Sequence, residues 1–456
     1  MPRFSVVVPA FNAEPFIREC LDSMRAQSFG DFEVVCVDDA STDATCSVIE
    51  SYAADDSRFR LVRNERNMAQ FASRHVGLAE TTGEYILFLD ADDALAPEAL
   101  EAIDEQLASR PVDILQFGME VVADPELGVE YLDDAWYARK YGAVLLEGDD
   151  IMRVICFDRA DDMCVHHRAF RGEMARSVAA RLGREPGLFA AEDIAELMAF
   201  MAVSKTYEVI EDAPFYIYNL GRGVNGNEGE LTAAQFAEHS ISKWKSYRAL
   251  CDYIDGSGLH GPVVDAAIES RWRYACEQTL WMWQYSVVLE DHVEALVDLA
   301  GLWPALWVRP SVYQFLANDA QALIDVDEYE NDRCRTIARR LAVNVEAVTV
   351  LRDKCGDASP DIAEDHGAAG GMLAGITDDL LHVFSGECER EMLKQMMRCL
   401  RAACFYERDT LYRLSDALRE RDRLQEDLDS LMNSKSYRLG TIMTEPYRRL
   451  RSVAGK

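Results

Sequence analysis

Through residues 1–95, short runs of consecutive apolar side chains alternate with stretches where apolar side chains return every three or four positions. The run Phe4-Ser5-Val6-Val7-Val8, closed by Pro9, predicts a strand. From Glu14 to Gln27, Phe16, Ile17, Cys20, Leu21 and Met24 keep helical spacing. Phe32 to Val37 is the next strand. Thr42 to Ala54 is the next helix, with Ser41 placed to cap it and Asp43 at its positive end. Phe59 to Arg63, Ala69 to Ala79 and Tyr85 to Leu89 repeat strand, helix, strand. Continuous apolar strands between amphipathic helices predict an α/β fold whose mainly parallel, Rossmann-like sheet is covered on both faces. Such sheets bind ligands beyond the carboxyl ends of their strands, so the polar residues directly after each strand carry the functional information.

Mixed strand and helix signals continue from Val112 to about Ser204. Asn219 to Leu231 is rich in Gly and Asn and predicts a loop or boundary. From there to about Val348 the pattern is helical, Lys354 to Thr377 reads as a linker, and Glu387 to Met432 is a long helical stretch. In that stretch Leu411, Leu414, Leu418, Leu424, Leu428 and Leu431 approach a heptad that slips after Leu418. The expected organisation is an α/β unit over 1–220, a helical unit over 231–350, and a long helix or coiled coil with a basic tail over 378–456. Trp281, Trp283 and Tyr285 fall on one helical stretch and read as core packing, with an acceptor platform as the alternative.

Composition narrows the partners. The chain has 456 residues and a formal net charge of -33, from 80 acidic against 47 basic side chains. Such a surface repels phosphate backbones, which argues against nucleic acid as a partner. None of the 12 cysteines forms a CxxC pair, which suits free thiols in a reducing compartment. No apolar run nears the roughly 18 residues needed to span a bilayer. The opening segment, broken by Pro9, reads as a strand and not a signal peptide. The expectation is a cytoplasmic protein.

Three strand-end turns carry candidate chemistry. Asp90-Ala91-Asp92-Asp93 directly follows the strand Tyr85 to Leu89. Carboxylates gathered at a buried strand end are costly without a cation among them, and hard oxygen ligands suit Mg²⁺ or Mn²⁺ bound together with a diphosphate. A solvated turn capping the helix after Pro97-Glu98 would give the same residues. Val37-Asp38-Asp39-Ala40-Ser41-Thr42-Asp43 sets two carboxylates before a helix, placed to accept from a base or a ribose, or to serve as an N-terminal turn. Val8-Pro9-Ala10-Phe11-Asn12-Ala13-Glu14 follows the first strand, with Phe11 as a stacking or core residue. The three turns follow three different strands, in the order of one nucleotide-binding edge.

With these pieces in sequence, the chain resembles the family-2 glycosyltransferases of bacterial polysaccharide synthesis. The matching stretches are VVVPAFNAE, VCVDDASTD, NMAQFASRHVGLAETTGEY and ILFLDADD, followed by HHRAFRGEM, FAAEDIAELMAF and EDAPFYIYNLGR. The resemblance covers about half of the chain and implies the glycosyltransferase-A fold. It further implies that Pro9, Phe11 and Asp39 line a base and ribose pocket and that Arg74 contacts the nucleotide. Asp90 and Asp92 resemble the family's metal and ribose motif, with Asp90 also contacting the nucleotide and Asp92 the more direct ligand of Mn²⁺ or Mg²⁺, and Asp193 would be the general base of an inverting transfer. The donor would be a nucleotide-diphospho sugar, most simply a UDP-sugar, and the acceptor a cell-surface glycan or a lipid-linked saccharide. Departures from the family pattern are Phe11 for Tyr, Ala69 for Gly, His75 for Asn and Arg168 for Lys. Arg222 reads as an exposed loop charge or a diphosphate contact, and the pair His166-His167 as surface or packing residues and not metal ligands. A non-catalytic scaffold and a phosphopolyol transferase are the alternatives. The basic tail after Ser434-Lys435-Ser436-Tyr437-Arg438 invites peripheral contact with the inner face of a membrane, or an intramolecular contact with the acidic body.

Overall fold

A computed structural model describes residues 1–123, 142–158, 163–222, 230–324 and parts of 336–347. The predicted linker over 354–377, the long helical stretch and the basic tail lie outside the described residues.

The strands are β1 (Phe4–Ala10), β2 (Phe32–Asp38), β3 (Phe59–Arg63), β4 (Tyr85–Phe88), β5 (Ala94–Leu95), β6 (Ile114–Ala123), β7 (Val144–Glu147), β8 (Arg168–Arg171) and β9 (Thr206–Leu220). They form one sheet in the order β3-β2-β1-β4-β8-β6-β9-β5, with β7 added beside β9. β3, β2, β1 and β4 are mutually parallel, in the register Ala10↔Asp38 and Val7↔Phe88. β8 then runs antiparallel to both β4 and β6, while β6 and β9 are again parallel. Most of the paired length is parallel, and the reversal falls immediately beside β4.

The continuous apolar runs follow from burial on both faces. Val7, Ile86 and Phe88 join one core cluster, whereas Phe4, Val6, Val8, Tyr85, Leu87 and Leu89 join the other. This is the two-residue alternation of a strand with apolar side chains on each side. α1 (Ile17–Arg25), α2 (Thr45–Asp55) and α4 (Ala99–Ser109) cover the second face. The first face meets α3 (Ala69–Glu80), α5 (Asp149–Arg153), α6 (Gly172–Leu182) and α7 (Glu192–Val203). That cluster continues into the helical region, α8 (Ala233–Ser257), α9 (Pro262–Ser286), α10 (His292–Leu302) and α11 (Ala305–Ile324). α8 opens with a reciprocal cap between Thr232 and Gln235 and closes on left-handed Gly258.

Two local expectations need correction. Pro9 does not end β1, which runs through it to Ala10. Val7 accepts from Leu89 N on the β4 side, so position 9 also faces β4, where the ladder has already stopped and no N–H is needed. Ser41 does not cap α2. Its hydroxyl accepts from Asn12 N at 3.0 Å, and Asp43 instead accepts from Thr45 N at 3.0 Å. The aromatic cluster divides by helix face. Trp283 is buried and donates to His292 O at 2.9 Å, while Trp281 and Tyr285, four residues apart, are exposed with ring centroids 4.4 Å apart.

Candidate functional site at the strand ends

The carboxyl ends of β1, β2 and β4 meet at one edge of the sheet, and the turns that leave them are laced together. Near the end of β1, Pro9 is buried, and just beyond it Phe11 is 47% exposed. Thr42 N donates to Asn12 Oδ1 at 2.8 Å, Ala13 N to Thr45 Oγ1 at 2.8 Å, and Ala44 N to Glu14 Oε2 at 3.1 Å. The β1 and β2 turns therefore brace each other and leave the Phe11 ring outside. Beyond β2, the buried Asp39 carboxylate accepts from Asn64 Nδ2 at 2.7 Å and from Met68 N at 2.8 Å, both on one oxygen. Asp39 thereby fixes the segment that leads into α3.

The turn after β4 is stitched to β9. Asp93 is buried and accepts from the Tyr216 hydroxyl at 2.7 Å and from Asn219 N at 2.8 Å. Asn219 Nδ2 donates to Asp92 O at 2.9 Å. Asp93 is thus an anchor, leaving Asp90 and Asp92 to face the edge. Asp90 accepts from Gln70 Nε2 at 2.7 Å, which ties the turn to α3. Burial pushes the Asp90 carboxyl up to about 6; His166 and Arg74 pull it down, while Asp92 and Asp193 push it further up. Burial also raises Asp92, with Arg222 as its opposing charge. For Asp93, burial and then the neighbours Asp90 and Asp92 push the carboxyl up to about 8, against the two donors it accepts from.

From the other side comes an ion-pair cluster. Arg74 is buried on α3 and reaches the start of α7, where it pairs with Asp193 and, at 3.1 Å, with Glu192. Its Nε lies 2.9 Å from Glu196 Oε2, an ion pair off the line of a hydrogen bond. Burial alone would lower the Arg74 guanidinium, but Asp193, Glu196 and Glu192 together hold it further up. Burial and the adjacent Asp193 push Glu192 up. His75 Nε2 meets Glu196 at 2.9 Å. Of the three acids, Asp193 alone keeps a quarter of its side chain exposed (25%), against 9% and 0% for Glu192 and Glu196.

The structure thus brings Asp92, Arg74 and Asp193 within electrostatic reach of Asp90, with Asp39 joined through Met68 and Gln70. Arg222 is held at Glu19, at 2.6 Å, with its guanidinium 5.6 Å over the Phe16 ring. His166 and His167 are both buried, which corrects the surface reading and keeps the packing one. Sequence reasoning missed Gln70, Glu192, Glu196, Tyr216 and Asn219, which act through contacts more than 15 positions away along the chain. A backbone signal marks the same edge. Asn12, Ala40, Ala69 and Ala191 are the non-glycine positive-φ residues among those described, with φ of 48°, 62°, 68° and 57°. Each adjoins or precedes a candidate residue: Phe11, Asp39, the start of the Arg74 helix, and Glu192-Asp193. Strain of this kind, at about 1–3 kcal/mol each, concentrates where function fixes the backbone. At Ala69 the positive φ suits the glycine of the family pattern, which takes it without cost, so the alanine of this chain carries strain there.

The sequence of residues 5–156 matches the family described as glycosyl transferase family 2. This segment is a family-2 glycosyltransferase domain. It contains Pro9, Phe11, Asp39, Arg74, Asp90 and Asp92, while Asp193 lies beyond the matched residues. Over 118 residues the chain is 33% identical to the uncharacterized glycosyltransferase EpsJ of Bacillus subtilis, covering 26% of this chain and 34% of that protein. Over 104 residues it is 35% identical to a GalNAc(5)-diNAcBac-PP-undecaprenol beta-1,3-glucosyltransferase of Campylobacter jejuni, covering 23% of this chain and 34% of that protein. The transferase-domain matches span between 20% and 40% of the length of such curated relatives. Among solved structures, residues 1–349 of TarS from S. aureus with UDP-GlcNAc align at 19% identity and a TM-score of 0.49, over 76% of this chain and 92% of that one. The transferase domain has the expected Rossmann-like glycosyltransferase-A arrangement, a mainly parallel sheet followed by helices. Among the described residues no helix is long and apolar enough to cross a membrane.

Proposed function

We propose that the chain is an inverting glycosyltransferase that moves a sugar from a nucleotide-diphospho sugar to a hydroxyl of a cell-surface glycan or lipid-linked acceptor. The observation that carries this reading is that α3 joins Asp193, on α7, to the Asp90-Ala91-Asp92 turn at the end of β4: Arg74 pairs with Asp193, and Gln70 on the same helix donates to Asp90 at 2.7 Å. Donor-side and acceptor-side carboxylates then share one edge. Phe11, exposed beyond β1, is available to stack on the base, with Pro9 behind it and Asp39 fixing the adjoining wall.

The acids at β4 suit a divalent cation. Burial raises Asp90, Asp92 and Asp93, neighbouring acids add to this at Asp90 and Asp93, and Asp93 is already spent on Tyr216 and Asn219. Asp92, with Asp90, would hold Mn²⁺ or Mg²⁺, oxygen-seeking ions that bind through one or two carboxylates and substrate phosphates. When bound, such an ion neutralises charge on the departing diphosphate. A solved mannosyltransferase of Pyrobaculum calidifontis carries GDP-Man and Mn²⁺, and TarS carries UDP-GlcNAc. A UDP-sugar is the simplest donor to test first.

Asp193 is the acid of its cluster that reaches solvent, so it can meet an acceptor hydroxyl. Arg74 pairs with its carboxylate and holds it at the edge, where a general base must stand. As the acceptor oxygen bonds to the anomeric carbon, Asp193 takes its proton. The bond from that carbon to the diphosphate oxygen breaks with its electron pair leaving on the nucleotide, from the opposite face. The anomeric centre inverts. Arg74, buried among acids, positions Asp193 in this scheme and reaches the nucleotide only through that edge. The expected setting is cytoplasmic, with the basic tail bringing the chain to the inner face of a membrane where lipid-linked acceptors lie. Replacing Asp193→Asn preserves shape and removes the base. Transfer should fall by about 10²–10⁴-fold while nucleotide binding by calorimetry stays within error. Equal turnover of variant and parent would remove the base assignment.

A further inference from the structure

Beside the proposed base lie two metal-ligating side chains that the transfer reaction does not use. Cys164 and His166, two positions apart in the turn that enters β8, converge on Asp193 at the start of α7. One ligand atom from each, a thiol sulfur, an imidazole nitrogen and a carboxylate oxygen, lies within 4.8 Å of the other two. A tetrahedral zinc centre has bonds of about 2.3 Å to sulfur and about 2.0–2.2 Å to nitrogen and oxygen, which sets its ligands about 3.3–3.7 Å apart. Closing the triad from 4.8 Å brings its atoms together by about an ångström. The His166 ring is held in place by Tyr216 at 4.5 Å and by a stacked Tyr218 at 6.0 Å. Asp193 turns one oxygen, Oδ1, to Arg74 and has a second to offer.

The surroundings favour a cation. Asp90 feels both His166 and Asp193, and Glu192 and Glu196 stand behind Asp193 around Arg74, while the Arg168 guanidinium donates to the Cys164 carbonyl. The donor types favour a particular one. Oxygen-only Asp90 and Asp92 suit Mg²⁺ or Mn²⁺, whereas a thiolate, imidazole and carboxylate suit a borderline-soft ion. We propose that Cys164, His166 and Asp193 form a second divalent-metal site, selective for Zn²⁺ over Mg²⁺, next to the Asp90-Ala91-Asp92 turn. His166 is then more than the packing residue its sequence context implies. Binding replaces the S–H bond of Cys164 with a sulfur–zinc bond and releases the proton to solvent. Three protein ligands leave a fourth position open for water. A zinc ion here also occupies the carboxylate assigned as base, so it switches transfer off; that consequence alone rests on the proposed function.

The site is read without donor or acceptor. Full-length protein, stripped with a chelator and kept in saturating Mg²⁺, is titrated with Co²⁺ and then Zn²⁺. The expected result is one equivalent of Co²⁺ with a thiolate-to-cobalt charge-transfer absorption, which one equivalent of Zn²⁺ abolishes. Cys164→Ser loses that absorption and binds Zn²⁺ about 10–100-fold more weakly. Asp193→Asn, at a partly exposed position, keeps the absorption but weakens Zn²⁺ binding in the same direction, and serves if the serine variant does not fold. Charge transfer that survives in Cys164→Ser, or Zn²⁺ affinity unchanged in Asp193→Asn, overturns the site. In a separate assay, Zn²⁺ should inhibit transfer by the parent more than by Cys164→Ser; equal inhibition overturns the switch while leaving the binding result to stand on its own.

Discussion

Tyr216 shows how much of this site depends on side chains that do no chemistry. Its hydroxyl donates to Asp93 and lies 3.3 Å from Asp90 N, so one oxygen holds the β4 turn in shape. Burial raises that hydroxyl well above its ordinary value, with Asp90 and Asp93 adding to the effect, so it remains a donor at any working pH. Tyr216→Phe leaves a buried carboxylate short of a partner and should cost about 1–3 kcal/mol by chemical denaturation. A loss within error would show that the turn is held elsewhere. Arg74 is the stronger case. It is the guanidinium that faces Glu192, Asp193 and Glu196 in a buried cluster. Arg74→Ala strands those acids and should cost about 3–5 kcal/mol, with a large fall in melting temperature. Asp90, Asp92 and Asp193 stand out in the sequence as candidates because each follows an apolar run or opens a helix. Their partners were not, because Tyr216, Asn219 and Gln70 look like ordinary strand and helix residues until the fold closes.

At the scale of elements, the alternation of strands and helices over 1–95 was readable because β1, β2 and β4 are buried on both faces and so are apolar throughout. The antiparallel insertion of β8 between β4 and β6 was not, since pairing partners far apart in the chain leave no local mark. Close approach does leave one, as at Gly83. A methyl group there would sit 2.6 Å from Ser5 N and 2.8 Å from the Phe4 carbonyl carbon. Gly83→Ala should therefore destabilise the β1–β4 pairing by about 1–3 kcal/mol, measured by equilibrium unfolding. The helical region carries a pH signature. Burial lowers His292 below its ordinary 6.5, outweighing its contacts with Asn344 and Val287, while Arg340 lowers and Asp319 raises it. The unfolded chain then binds the proton first. This contribution to stability is complete above the ordinary value and is lost as pH falls below it. Between about pH 7.5 and about pH 5.5 the melting temperature should drop more in the parent than in His292→Asn. An equal drop in both would assign the pH effect to other groups.

Across the whole molecule, the family match ends at residue 156, before Asp193, and the sheet supplies the connection. β8 returns beside β4, and α7 follows to bring its acids to Arg74 on α3. The matched family-2 segment is thereby joined to an acid from outside it, and the helical layer α8–α11 packs into the same apolar cluster as α3 and α7. The net charge of -33 makes the edge demanding for a diphosphate, which needs a cation to approach so many carboxylates. Calorimetric titration with UDP-GlcNAc, UDP-glucose and GDP-mannose, in Mn²⁺ and again in EDTA, tests this directly. At least one donor should bind in Mn²⁺, and its affinity should fall about 10–100-fold in EDTA and likewise in Asp92→Ala. Binding of equal strength with and without metal, or with and without the Asp92 carboxylate, would contradict a cation-bridged nucleotide site at the end of β4.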